Sequence, residues 1–290
     1  VLELGLGIRL RRLYNVKRES DLLQAGMTDI FLIKLVLSFF VGGAWVMIAT
    51  LLADKHGTKI GGLVAGLPST ALISLFFIGW TQSPAAAVEA TTVIPLIGAV
   101  NALFLLVYIS LVRANFWTAL SSSLLFWCLS SFAIVILKFN DFYLSLVIYF
   151  IVVPSSFFIV EKGIKVKSKA ARKTINTLGT ILFRGLFSGL IIALAVIMGK
   201  IGSPLLGGMF AMFPAMFTGT LLITFLTHGP LFSSAMMKVA LISAISVVLY
   251  AVLVRYSYIP LGLLGGTLVS MAISFAAACL LHIFIVKKIS

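Results

Sequence analysis

The residues of this sequence best suited to chemistry are Lys34, Pro68, Ser69, Thr70, Asn101, Arg184, Pro214 and Thr218. All lie inside apolar runs, and their chemistry is that of binding rather than bond breaking. Pro68 and Pro214 each stand about two turns into such a run, where proline removes a backbone donor and clashes with the preceding turn. In lipid, the carbonyls so released, expected to be those of Val64 and Phe210, need a partner or a water-lined cavity. The hydroxyls of Ser69, Thr70, Ser74, Thr218 and Thr220 stand ready to line that cavity. Lys34 and Arg184 sit a turn or two inside their runs, where a charge must snorkel, pair or face a cavity. Asn101 is the most central of the remaining polar groups. Glu89, Lys238 and His282 read as interfacial or interhelical hydrogen-bonding residues.

The acids are Glu3, Glu19, Asp21, Asp29, Asp54, Glu89, Asp141 and Glu161, and none falls near the centre of an apolar run. Proton relays and cation sites in membranes normally use such a carboxylate, so the electrostatics favour an anionic solute or a phosphate-bearing lipid headgroup. His56, His228 and His282 have no acid placed to orient them, and no nucleophile elbow, zinc helix or P-loop occurs. The expectation is a protein that is not an enzyme, with no catalytic residue, metal or cofactor. Cys128 and Cys279 lie far apart inside apolar runs and read as small hydrophobes.

The elements that must position these residues follow from composition. The chain has 290 residues, 61% of them hydrophobic and 10% charged, with mean hydropathy +1.18. A bilayer core of roughly 30 Å takes about 20 apolar residues per helix. Such windows occur near 29–53, 60–80, 91–112, 116–138, 142–160, 178–199, 205–227, 234–254 and 258–286. The last is long enough to be tilted, kinked or preceded by a re-entrant piece.

An internal repeat runs through them. Gly61, Gly62, Ala65, Pro68, Leu75, Thr81 and Pro84 recur 146 residues later as Gly207, Gly208, Ala211, Pro214, Leu221, Thr227 and Pro230. Lys34 to Ser38 similarly resembles Arg184 to Ser188, with the spacing shifted by four residues. Five passes separate equivalent points, so the two units face opposite ways, the inverted plan of many transporters. The dense basic loop Lys162, Lys165, Lys167, Lys169, Arg172 and Lys173 belongs in the cytoplasm. That puts Lys55, Lys59, Arg113, Lys287 and Lys288 inside, and Lys138, Lys200, Arg255 and the N-terminus outside. A blander reading has Gly61, Gly62, Gly66, Gly207, Gly208 and Ala211 as packing residues and the prolines as packing kinks.

The motif GGMFAMFPAMFTGTLLITFLTHG at 207–229, followed by IPLGLLGG at 259–266, resembles the GlpM-like family of small four-helix bacterial membrane proteins. The resemblance covers 178–286 best and 29–137 less well. It implies a fused tandem of two such units and carries no molecular activity. The expected fold is an all-α polytopic membrane protein of about nine helices, with two inverted four-helix repeats joined by a linker helix. Residues 1–26 read as a non-native or disordered extension before Met27, 27–138 as repeat 1, 139–177 as the linker helix and basic loop, and 178–290 as repeat 2.

The function expected is a secondary transporter or flippase in a prokaryotic inner membrane, alternating access between the repeats. A non-transporting assembly subunit is the alternative. Expected partners are the bilayer, an anionic small molecule or lipid headgroup, and a second copy of the chain; nucleic acid is not expected.

Overall fold

The computed structural model describes residues 28–49, 51, 63, 64, 66–166 and 177–284. Eight helices and no strand occur among them. They are α1 (Thr28–Ala49), α2 (Ser69–Thr81), α3 (Pro84–Leu111), α4 (Phe116–Ile136), α5 (Phe142–Gly163), α6 (Leu178–Ile201), α7 (Pro204–His228) and α8 (Pro230–Leu281). All but the 13-residue α2 are long and apolar enough to cross a bilayer. Ile33, Leu129 and Ile136 are among many large apolar side chains on the surface, 62%, 65% and 75% exposed, as a lipid-facing wall requires. The chain is an integral membrane protein. Residues 1–26, Met27, Gly61, Gly62, Ala65 and the basic positions 167–173 lie outside the described residues.

Helix starts follow local chemistry. Ser83 Oγ accepts from the Ala86 N–H at 3.1 Å and Ser203 Oγ from that of Leu206 at 3.3 Å, each with proline at the next position. Asn115 and Asp141 cap α4 and α5 in the same way, at 3.0 and 2.9 Å. Two helices start before the expected boundary: α3 at Pro84 rather than 91, behind the Ser83 cap, and α8 at Pro230 rather than 234, where an N1 proline follows Gly229 and no side chain caps. Hydropathy windows miss such turns because Ser, Thr and Glu89 dilute them, whereas an N1 proline, the feature common to both starts, favours helix initiation whatever the polarity.

The last element changes direction. Gly262 adopts φ 70° and ψ 174° inside α8, a conformation that favours glycine. In a continuous helix, residues 13 apart stand about 20 Å apart. Yet Ser257 Oγ lies 3.0 Å from Ser270 Oγ, and Tyr258 Oη lies 2.9 Å from Thr267 Oγ1. The chain therefore folds back at Gly262, and 263–281 return alongside 245–261.

Burial sorts the helices into two tiers. α3, α7 and α8 are 83%, 67% and 67% buried over their most apolar windows, while α1, α4 and α5 are only 22%, 28% and 28% buried. α3 and α8 run antiparallel at the centre. Tyr108 near the end of α3 meets Ser233 near the start of α8 at 3.0 Å, and Arg255, much later in α8, reaches Thr92 near the start of α3 at 3.1 Å. α1 and α6 cross through glycine: a Cβ on Gly43 would stand 2.9 Å from the Gly185 carbonyl oxygen, and one on Gly189 2.5 Å from that of Phe39. Cys128 and Cys279 are both free.

Candidate functional site

Both prolines break their helices, and they do so identically. Pro68 has φ −73° and ψ 40°, Pro214 φ −75° and ψ 47°. The N–H after each donates across it, Ser69 to Leu67 O and Ala215 to Phe213 O, both at 2.7 Å, so each proline sits at the apex of a tight turn close to an inverse γ-turn. Helix resumes at once, with Leu72 N–H bonding Pro68 O and Thr218 N–H bonding Pro214 O, both at 2.8 Å. Before the break the chain tightens to i→i+3 bonds: Leu67 N–H to Val64 O at 3.1 Å and Phe213 N–H to Phe210 O at 3.0 Å. The carbonyls of Val64 and Phe210 are thus satisfied, contrary to expectation.

The acceptors passed to another element are instead those of Gly66 and Met212. Asn101 on α3 donates Nδ2–H to Met212 O at 2.9 Å, and the Ser246 hydroxyl on α8 is shared between Ser243 O in its own helix at 2.9 Å and Gly66 O at 3.1 Å. Each broken helix is completed by the central helix that follows the other break.

Between the breaks lies a cavity of about 40 Å³. That is room for about two or three waters. Thr70, Asn101, Tyr149 and Pro214 line it, with Leu67 and Phe213 at the turns and Gly98, Ala244 and Val247 on the central helices. Asn101 Oδ1 and Tyr149 Oη are buried and have no hydrogen-bond partner. A buried acceptor and a buried hydroxyl left unpaired cost about 1–3 kcal/mol each, so this wall is built to be met by a polar group.

Of the residues singled out from sequence, Thr70, Asn101 and Pro214 line this cavity; Pro68 and Ser69 form the opposite turn and its continuation, and Thr218 lies one helical turn beyond Pro214 with its hydroxyl buried and unpaired. Lys34 and Arg184 are not among the lining residues. Lys34 is half-buried, donates from Nζ to Trp80 O at 2.8 Å and lies 4.9 Å from the Trp80 ring centre, at the C-terminal end of α2. Arg184 is buried with its stem against Gly219 in the second half of α7. His282 has no described side chain. The packing reading of the glycines holds beside the site reading: a Cβ on Gly66 would lie 2.5 Å from Ser243 Cβ, and one on Gly208 would overlap the Ala90 carbonyl.

Two polar locks flank the cavity; sequence reasoning read Lys238 as an interhelical hydrogen-bonding residue, which it is, without its partner, and missed the role of Arg255. Lys238 on α8 is fully buried, its Nζ 2.7 Å from Glu161 Oε2 and 2.6 Å from Val166 O at the end of α5. Arg255 reaches Val88 O, Thr91 Oγ1 and Thr92 Oγ1 at 3.4, 3.4 and 3.1 Å, with its guanidinium 4.4 Å from the Phe142 ring centre. Thr92 and Lys238, one member of each lock, are 146 residues apart, the spacing of the repeat.

No curated protein and no solved structure matches the chain. The profile of a family described as a protein of unknown function (DUF3147) matches residues 35–140, a stretch that runs from α1 to the end of α4 and bears on neither the GlpM-like resemblance nor the duplication.

Proposed function

We propose that this chain is a secondary transporter or flippase for an anionic solute or a phosphate-bearing lipid. In this reading it is a fused tandem of two inverted four-helix units of the GlpM-like kind, nine passes in all, counting the broken helix that ends in α2 and two arms of α8. The observation that carries the reading is the pairing of the cavity lining. Leu67, Thr70, Gly98 and Asn101 stand 146 residues before Phe213, Met216, Ala244 and Val247, and all eight face one cavity. A site lined in equivalent pairs lies on the axis relating two units, and inverted-repeat transporters hold substrate there.

The antiparallel course of α3 and α8 supports the inversion, as do the locks. Thr92 and Lys238 each precede their cavity residue, Asn101 or Val247, by nine positions on helices running opposite ways. The locks then close opposite faces of one site: Lys238 with Glu161 on the cytoplasmic side, Arg255 with Thr92 on the outer side. With both closed and little volume between them, the conformation is occluded. Lys34 caps α2 through Trp80 O and Arg184 packs its stem against Gly219 of α7, so in this conformation neither basic residue lines the cavity. The location belonging to this reading is a prokaryotic inner membrane, N-terminus outside.

Thr70→Cys, in a chain whose Cys128 and Cys279 are serine, tests it. In proteoliposomes this cysteine is expected to react with impermeant thiol reagents from either face, the two reactivities shifting in opposite senses when Lys238→Met or Arg255→Met opens one lock. Protection from both faces in every variant, with no flux of anionic solutes or labelled phospholipid, overturns the proposal and leaves the assembly-subunit role.

A further inference from the structure

A second, larger cavity adjoins the first. It measures about 130 Å³ and is lined by Trp45, Ile48 and Ala49 of α1, by Val64, Leu67 and Ser69 around the first proline turn, and by Phe275 of the returning arm of α8. Leu67 belongs to both cavities and is the partition between them. α1 is the least buried of the membrane helices, and Ile48 is 55% exposed, so this cavity lies at the lipid-facing side of the molecule. Its walls are apolar apart from two groups. Ser69 Oγ and Trp45 Nε1 are buried and have no hydrogen-bond partner, and Ser69 is only 1% exposed.

The equivalent place in the second half is lined differently. Val64 and Leu67 correspond to Phe210 and Phe213, and Ser69 to Ala215. Phe213 packs against Trp127 and Phe187 with ring centres 5.0 and 6.0 Å away, and Phe210 against Phe132 at 6.3 Å. One half therefore carries large aromatic rings and an alanine where the other carries smaller aliphatic side chains and an unpaired hydroxyl. The asymmetry sets the chemistry of the first half's cavity, which stands beside the polar site and against the lipid.

Resting on the transport reading above, we infer that the substrate is a membrane amphiphile, a phosphate-bearing lipid rather than a free anion. Its alkyl chain occupies the lateral cavity, and its polar head reaches past Leu67 to Thr70, Asn101 and Tyr149. A cavity of about 150 Å³ lined by aliphatic groups takes up a benzene-sized apolar group, so this one admits a stretch of a single chain. A chain there leaves Ser69 Oγ and Trp45 Nε1 placed for ester or hydroxyl oxygens. Tyr149 Oη can donate to a phosphate oxygen, and Asn101 Oδ1 can accept from a glycerol hydroxyl.

The test uses the full chain in vesicles containing a lysophosphatidylglycerol with a photoreactive diazirine at mid-chain. Label is expected on the segment around Trp45 to Ala49 and on that around Phe275. It should fall about tenfold or more in Val64→Phe/Leu67→Phe, which copies the packing of the other half into a cavity left with no free volume. Ser69→Leu, filling the cavity from another wall, should give the same loss. Soluble glycerol phosphate should not compete.

Label spread evenly over α4 and α5, label undiminished in both variants, or complete displacement by glycerol phosphate overturns the inference. Flux is scored separately in the same vesicles. Label at the cavity without lipid movement preserves the occupant and removes transport; movement of a soluble anion without label does the reverse.

Discussion

Lys238 illustrates how a single side chain is determined by contacts the sequence does not announce. It lies inside an apolar run, it is fully buried, and its partner Glu161 is 77 residues away on another helix. No periodicity joins two such positions, and Glu161 at the edge of a basic loop reads as surface charge. Taking a lysine out of water costs several kcal/mol, which the carboxylate and Val166 O together offset. Breaking the pair is therefore worse than replacing it. Glu161→Leu should lower stability by about 2–3 kcal/mol, below the range for fully buried pairs because Glu161 is 28% exposed. Lys238→Met/Glu161→Leu should recover most of that loss, as read by thermal unfolding in detergent. A double variant as unstable as the single one would mean that Lys238 is held by other groups and that the pair is no lock. Asn101, by contrast, was legible as a functional candidate, because an amide at the middle of an apolar run must find partners. What could not be read was that its amide nitrogen completes the backbone of the other broken helix while its oxygen is left for the cavity.

At the scale of the element, proline made the two breaks visible because its effect is local: a missing donor and a clash within one turn. The identity of the carbonyls it releases depends on how the chain tightens before it, and that is decided by neighbours. Gly66 is the neighbour that matters, since Ser243 and the backbone at Ala244 occupy the space a Cβ would take, at 2.5 and 2.8 Å. Gly66→Val should push α8 away, lengthen the Ser246 bond to Gly66 O and cost about 2–3 kcal/mol, the price of forcing bulk into a packed interface. Gly163→Ala at the end of α5, where a Cβ meets nothing nearer than 3.7 Å, serves as the control and should leave the melting temperature nearly unchanged. If both behave alike, close approach at the break is not what Gly66 provides. The fold-back in α8 was half legible: the windows 234–254 and 258–286 stood as separate passes, but the turn falls at Gly262, inside the second window, and the contact between Ser257 and Ser270 places it there.

For the molecule as a whole, the proposed inversion of the two halves has a consequence that can be measured without knowing the substrate. Ala85 and Leu231 hold equivalent positions, 146 residues apart, in the first turns of α3 and α8, and both are exposed. If the halves are inverted, cysteines at these two sites must lie on opposite sides of the membrane, Ala85 outside and Leu231 in the cytoplasm. The contacts already point the same way. Arg255 and Phe142 gather with the start of α3, while Lys238 and Glu161 gather near the basic loop that follows α5. Polytopic proteins keep an excess of Lys and Arg on the cytoplasmic side, and the proposed orientation accordingly puts this loop, with Lys162 and Lys165, in the cytoplasm. In sealed cells, an impermeant maleimide should label Ala85→Cys within the time that leaves Leu231→Cys untouched, and permeabilisation should expose the second. Labelling of both from one face would require an even number of passes between them. Lining residues at matched spacing would then no longer be related by inversion, and alternating access between two opposed halves would lose its basis.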